Sequence, residues 1–224
     1  MYNYPKCIGG IVVKIRKAEK VAAYSHIIGA AASVIGLIIL LNVTWGRWDY
    51  LLVSLVYGLG AICLFMASGV YHWQKQEENA LNIWRKLDHL AIFIMIAGTY
   101  TPMAYVYLEG AWFWSIIGVQ WGCVLAGLFF KFFYLHAPRI ISPILYLLMG
   151  WMAVVPMNIL WHNMSALSFW LLVAGGIAYS AGAIIYALKK PSPFPGVFGF
   201  HEIFHIFILL GAILHYFMVY IAVT

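Results

Sequence analysis

Apolar runs of roughly twenty residues follow one another along almost the whole chain, and they limit the folds open to it. Such a run, as an α-helix, is long enough to cross a hydrocarbon core about 30 Å thick. With 65% hydrophobic and 9% charged residues among 224, and a mean hydropathy of +0.91, a soluble domain could not hide this surface. We predict an all-α integral membrane protein, because a helix satisfies its own backbone hydrogen bonds in lipid. The seven predicted transmembrane helices span 21–41, 51–71, 89–107, 112–130, 141–160, 168–188 and 201–222.

The positive charges predict how this seven-transmembrane helix bundle is oriented. All 13 Lys and Arg residues except Arg47 fall in the N-terminal tail or in the loops after spans 2, 4 and 6, which lie on one side. The positive-inside rule then places the N-terminus in the cytoplasm and the C-terminus outside. Residues 1–20 are predicted to be a basic cytoplasmic tail, and residues 21–224 a single membrane domain. We expect a multi-pass protein of the cell membrane.

Net charge and cysteine content exclude some other classes. The formal charge of +6 is explained by the cytoplasmic loops, so no nucleic acid partner is needed. Cys7, Cys63 and Cys123 show no CxxC spacing, which argues against a disulfide framework and against a thiolate zinc site. The oligomeric state stays open.

The last span begins with HEIFH, from His201 to His205, which fits the H-E-x-x-H pattern of helical zinc sites. Histidines spaced i, i+4 share one face of a helix. Three interpretations are open: a zinc protease, a different metal enzyme, or two histidines that hydrogen-bond between helices. Glu202 is a candidate base, but an acid in the first turn also stabilises the positive end of the helix dipole.

Side chains from two other spans are predicted to reach the same depth as HEIFH. Span 2 ends on the cytoplasmic side with Ser68 and His72, and span 3 begins there with Asp88. Together with His201 and His205, His72 makes three imidazoles, the ligand number of a catalytic zinc site with a fourth position for water. Ionisable residues within a membrane are costly, so we interpret this set as functional. Ser68 could instead simply pack between helices.

Four stretches carry a resemblance to a known family: SGVYH (68–72), RKLDHLAIFIMIAGTYTP (85–102), GGIAYSAGAIIYALKKP (175–191) and FPGVFGFHEIFHIFILLGAILHY (194–216). With them the chain resembles the hemolysin III branch of the progestin and adipoQ receptor (PAQR) family, which groups with alkaline ceramidases among membrane hydrolases. The short tails resemble the prokaryotic branch. Bacterial members are named for haemolysis and are linked to membrane lipid homeostasis.

The resemblance implies a zinc ion held by His72, His201 and His205, with Asp88 contacting the metal through water and Ser68 beside it. The predicted reaction is hydrolysis of a lipid amide or ester at the cytoplasmic leaflet. Asp88 would be the general base and Ser68 would orient the water or the carbonyl. The expected partners are membrane lipids of the ceramide, phospholipid or free fatty acid class. Two alternatives are a receptor-like regulator with a structural zinc and a pore-forming cytolysin.

The N-terminal element departs from the family pattern. The family has paired acids and an Asn upstream of a histidine. Here Glu19 and His26 match, whereas Ala18 and Ala22 stand in place of the first acid and the Asn. The sequence assigns this element no role, and His26, His89 and His215 are interpreted as structural residues or neighbours of the ligands.

Overall fold

The computed structural model describes residues 17–75, 83–133, 141–194 and 196–224, and these residues are mostly helical. A 3₁₀ turn, Trp151–Val154, separates α5 from α6. The helices are α1 (Lys17–Val43), α2 (Trp48–Gln74), α3 (Ile83–Tyr107), α4 (Gly110–Phe133), α5 (Ile141–Gly150), α6 (Met157–Asn163), α7 (Ala166–Leu188) and α8 (Phe200–Val223).

Six of these helices are long and apolar enough to cross a membrane, and there are seven spans if the bent pair of α5 and α6 is counted as one. The predicted all-α integral membrane bundle is therefore confirmed. Of the predicted basic tail, residues 1–16 lie outside the described residues. Helix α1 begins at Lys17, about one turn before the predicted start of span 1.

The fifth predicted span is not a straight helix. It bends by 55° between the segment Ile141–Val154 and α6. Pro156 precedes α6, and proline lacks the N–H that would continue a helix. The Tyr100 hydroxyl of α3 donates to the Gly150 carbonyl (2.8 Å) and accepts from the Ala153 N–H (2.7 Å). Non-helical backbone at membrane depth is tolerated where protein groups satisfy it, and Tyr100 does this here.

The order of the helices brings four helix ends together. Helix α8 packs against α1, α2, α3 and α7, while α1 packs on α2 and α2 on α3. The N-termini of α1, α3 and α8 therefore meet the C-terminus of α2 at one end of the bundle. Gly60 and Gly98 allow α2 and α3 to approach closely. A Cβ atom at Gly60 would lie 3.4 Å from the Ile94 carbonyl oxygen, and such contacts are typical of membrane helix pairs.

The opposite end of the bundle carries Arg47, the one cation that the charge pattern places outside. Its guanidinium donates to the carbonyls of Val43 and Val223, which end α1 and α8. It also lies 4.4 Å above the ring centroid of Tyr50. A cation at the negative ends of two helices is favourable, so this arginine ties α1 to α8.

Large apolar side chains cover the outside of the bundle as well as its interior. Phe93, Met103 and Met218 are fully buried, whereas Ile28 and Leu125 are 68% and 61% exposed. Apolar exposure on this scale is unfavourable in water. The outward-facing surface is suited to contact with lipid.

Candidate metal site

Three histidines converge where α2 ends and α8 begins. His72 lies in the last turn of α2, and His201 and His205 lie in the first two turns of α8. The Nε2 atom of His201 is 3.4 Å from Nε2 of His72 and 3.1 Å from Nε2 of His205. The three residues that the sequence selected as ligands are thus brought together across 129 positions of chain.

The donor atoms of this cluster fit a metal ion. One ligand atom from each histidine lies within 4.8 Å of the other two. In a tetrahedral zinc site with Zn–N bonds of about 2.0–2.1 Å, ligand nitrogens are about 3.3 Å apart. The observed distances of 3.1 and 3.4 Å match this spacing. Both distances are also hydrogen-bond distances, and which nitrogen donates depends on the tautomer of each ring.

The three histidines are largely shielded from solvent by the surrounding protein. His72 and His205 are each 2% exposed, and His201 is half-buried. Within the described part of the chain, the cluster consists of these three histidines without a fourth His, Cys, Asp or Glu ligand. A metal ion held by three histidines would keep a coordination position for a ligand from outside the protein.

Ser68 and Asp88 lie beside the cluster and are not part of it. Ser68 is buried one turn before His72 on α2, and its hydroxyl hydrogen-bonds to the Asp88 carboxylate of α3. Asp88 also interacts electrostatically with His72. The sequence predicted that both residues lie next to the ligands, and the structure shows them in that position. Their catalytic roles stay predictions.

Glu202 has a structural partner of its own. Its Oε2 atom accepts a hydrogen bond from the Gly199 N–H at 2.7 Å, and the residue is 5% exposed. The carboxylate therefore caps the start of α8 and satisfies one of the free N–H groups of the first turn. This contact favours the helix-capping interpretation over that of a catalytic base.

The N-terminal element holds two contacts that the sequence did not reveal. Glu19 lies 2.7 Å from Nδ1 of His72 and 2.7 Å from Nζ of Lys75. Nε2 of His26 lies 2.8 Å from Nδ1 of His205. The seven-residue spacing of Glu19 and His26, which places both on one helix face, was the available signal. The sequence alone did not show which residues Glu19 and His26 contact, so the spacing indicated no role for them.

His215 takes no part in this site. Its Nε2 atom donates to the Leu172 carbonyl of α7 at 3.1 Å, far along α8 from His205. Gly175 faces the same ring, because a Cβ atom there would lie 2.2 Å from Cδ2 of His215. His215 is therefore a packing residue between α7 and α8, which is the first of the two interpretations that the sequence left open, a structural residue or a neighbour of the ligands.

Sequence comparison identifies the family. The family model described as Haemolysin-III related matches residues 15–216. This chain belongs to the haemolysin III-related family. That match includes the three histidines, Ser68 and Asp88.

Curated relatives of the haemolysin III family agree with this assignment. Hemolysin-3 of Bacillus cereus is 34% identical over 205 residues, covering 91% of this chain and 90% of the relative. The Hemolysin-3 homolog of Bacillus subtilis (strain 168) is 33% identical over 208 residues, which cover 91% of this chain and 93% of the relative. The Heptahelical transmembrane protein ADIPOR2 of Oryza sativa subsp. japonica is 30% identical over 186 residues, which cover 76% of this chain and 80% of the relative. The predicted place in the hemolysin III branch of the PAQR family is confirmed, and with it a multi-pass membrane protein.

Proposed function

We propose that this haemolysin III-family protein is a zinc-dependent hydrolase that cleaves the amide or ester bond of a lipid at the cytoplasmic leaflet of the cell membrane. The observation that carries the proposal is the convergence of three histidine Nε2 atoms at 3.1 and 3.4 Å. Imidazole nitrogens suit zinc among the biological metals, and three of them keep the full charge of the ion. Bound zinc supplies Lewis acidity, which activates water and polarises a carbonyl group.

Residues of the chain bind the metal, transfer the proton and position the base. His72, His201 and His205 bind the metal through Nε2. The Asp88 carboxylate accepts the proton of the attacking water and returns it to the leaving group, as a general base and then a general acid. The Ser68 hydroxyl bonds to this carboxylate and holds it beside His72. Glu202 remains bonded to the Gly199 N–H and stays out of the reaction.

The location of the site favours a lipid substrate. The histidines lie at the ends of helices that are long enough to cross a membrane, which is the level of the lipid headgroups. The amide of ceramide and the esters of phospholipids lie at this boundary. A lipid can approach sideways from the leaflet, whereas a folded protein cannot.

The proposal is tested by hydrolysis in a defined membrane. The purified protein in lipid nanodiscs is given ceramide or phospholipid, and the released fatty acid is measured with and without a zinc chelator. We expect release by the wild type, and loss of release after chelation or in Asp88→Asn. Equal, chelator-independent release by both proteins would contradict the hydrolase. Lipid analysis of cells with the wild type or His205→Ala then identifies the substrate class.

A receptor-like regulator is the second candidate, and one observation favours it. The ligands come from two helices, so a metal held by His72 and by His201 and His205 would join α2 to α8 as a structural link. A relative of this chain is named Adiponectin receptor protein, from Drosophila melanogaster. In this case chelation lowers thermal stability and the same assay shows no lipid turnover.

A further inference from the structure

We propose that Glu19 and His26 on α1 are positioning residues, which hold Nδ1 of His72 and His205 so that both histidines present Nε2 to the metal. This inference rests on the proposed metal site and adds a layer of contacts around it. It also gives a role to the N-terminal element, for which the sequence supplied none.

The Glu19 contact determines the tautomer of His72. A carboxylate only accepts hydrogen bonds, so the 2.7 Å contact requires a proton on Nδ1 of His72. Nε2 of the neutral ring then carries the free lone pair, and this is the atom that faces His201. Glu19 is 8% exposed, and its second oxygen is held by Lys75 at 2.7 Å. The acceptor is therefore itself fixed in place.

The His26 contact acts in the same way on His205. When Nε2 of His205 binds a metal, its Nδ1 atom carries the proton and donates to Nε2 of His26 at 2.8 Å. His26 is 3% exposed, and its ring packs edge-on against Phe65 with centroids 5.1 Å apart. Its Nδ1 atom has no hydrogen-bond partner among the described residues, so Nε2 makes the one polar contact of this ring.

The shape of α1 makes both contacts available from one helix. Glu19 and His26 are seven residues apart, which is about two turns, and they share a face. Ala22 and Ala23 between them are 0% exposed, and their small side chains let α1 lie close against its neighbours. Lys20 is exposed on the other side. One rigid segment of α1 thus supplies an acceptor to a ligand on α2 and another to a ligand on α8.

Acceptors of this kind have a known effect on metal sites. A ligating histidine that donates its second N–H to a carboxylate or another acceptor keeps one tautomer and ring orientation and becomes a stronger ligand. Loss of such a partner lowers metal affinity by about 10- to 100-fold. We expect losses of this size for Glu19→Leu and for His26→Leu, with smaller losses for Lys75→Gln, which leaves the Glu19–His72 bond in place.

The test measures zinc affinity by competition with a chelator on the purified full-length protein. Lys20→Leu is the control for Glu19→Leu, because it removes a charge from an exposed side chain of the same turn. His215→Leu is the control for His26→Leu, because it removes another buried histidine with a single hydrogen bond. We expect both controls to keep wild-type zinc affinity, whatever their thermal stability. Wild-type affinity in Glu19→Leu and His26→Leu would overturn the inference.

A measurement on the wild type avoids variants that fail to fold. With ¹¹³Cd in the site and ¹⁵N in the histidine rings, we expect metal–nitrogen coupling to Nε2 of His72 and His205. Coupling to Nδ1 of either ring would overturn the inference while leaving the metal site intact. A wild type that binds no zinc would instead overturn the proposed function. The two failures are therefore distinguishable.

Discussion

The Nε2 atoms of His201 and His205 lie 3.1 Å apart on successive turns of α8, and both face α2. One helix, α8, fixes the positions of both side chains, while the third histidine, His72, belongs to α2. Two neutral imidazoles with facing lone pairs repel at this distance unless a cation or a proton lies between them. A proton on one of the two nitrogens gives a hydrogen bond, and a metal ion bound by both rings would also link α8 to α2.

Removal of two ligands should remove the metal. We expect about one zinc ion per wild-type chain by mass spectrometry, and almost none in the His72→Ala, His205→Ala double variant, because one histidine alone binds weakly. His162→Ala is the control, since His162 is exposed and bonds to the Asn158 carbonyl on α6. Unchanged zinc in the double variant would exclude the proposed ligand set.

Asp88 and Glu202 should differ in their effect on turnover. Asp88→Asn removes the proposed base, so we expect fatty acid release to fall by 10²-fold or more, on the order of a general base's contribution. Glu202→Gln keeps an oxygen for the Gly199 N–H, and release should stay near the wild-type level. Glu202→Ala should lower stability by about 0.5–2 kcal/mol through loss of the cap.

The opposite result would reverse these roles. If Glu202→Gln abolished release and Asp88→Asn did not, the glutamate of HEIFH would be the base, as in zinc proteases. Zinc content measured on each variant separates a loss of chemistry from a loss of metal.

Gly175 should tolerate no side chain, whereas its neighbour Gly176 should. A Cβ atom at Gly175 would lie 2.2 Å from Cδ2 of His215, which is held by its bond to the Leu172 carbonyl. We expect Gly175→Ala to lower the free energy of unfolding by about 1–3 kcal/mol through overpacking. A Cβ atom at Gly176 meets only Trp151, at 3.9 Å, so Gly176→Ala should be neutral.

Thermal denaturation in detergent measures both glycine variants. Zinc content should be unchanged in each, because His215 lies outside the metal cluster. Equal stability of the two variants would mean that the α7–α8 contact is looser than described.

Loss of the Tyr100 hydroxyl should destabilise the bent span. Tyr100→Phe keeps the ring but leaves the Gly150 carbonyl and the Ala153 N–H without this partner. Each unsatisfied buried group costs about 1–3 kcal/mol, so the free energy of unfolding should fall measurably. Tyr105→Phe is the control, since its hydroxyl bonds to Asp49 at an exposed position and should change stability by less than about 0.5 kcal/mol. Equal effects would mean that water or lipid replaces Tyr100.

The orientation of the bundle can be tested by cysteine labelling. In a chain with Cys7, Cys63 and Cys123 replaced by Ser, Thr224→Cys should react with an impermeant maleimide on intact cells. Lys190→Cys, also exposed, should react only after permeabilisation, because the positive-inside rule places its loop in the cytoplasm. The reverse pattern would place the histidine cluster at the outer leaflet.

Much of the fold could be predicted because membrane insertion is decided locally. The runs of α1 to α4, α7 and α8 were found within about four residues of their observed ends, except that α3 begins at Ile83, well before the predicted 89. Apolar length and charge act within one segment, which makes such runs predictable. The bend after Gly150 was not predicted. Pro156 was visible, but whether it breaks a span depends on a partner for the freed backbone groups, and that partner is Tyr100 on another helix.

The candidate ligands could also be predicted from the sequence. The i, i+4 spacing of His201 and His205, with the depth of His72, selected three residues whose nitrogens the structure brings together. The sequence left open whether Glu202 faced the metal or its own helix end. The hydrogen bond to Gly199 favours the second, because a carboxylate in the first turn meets free N–H groups there.

By itself, the sequence determined a helical membrane protein with a layer of ligand-type side chains at one end, since hydrophobicity, charge and helical periodicity act over short stretches of chain. Only the tertiary structure decided that Glu19 and His26 of α1 contact His72 and His205, at 2.7 and 2.8 Å. Those contacts join residues 53 and 179 positions apart. They depend on how closely the helices pack, which no local pattern in the chain encodes.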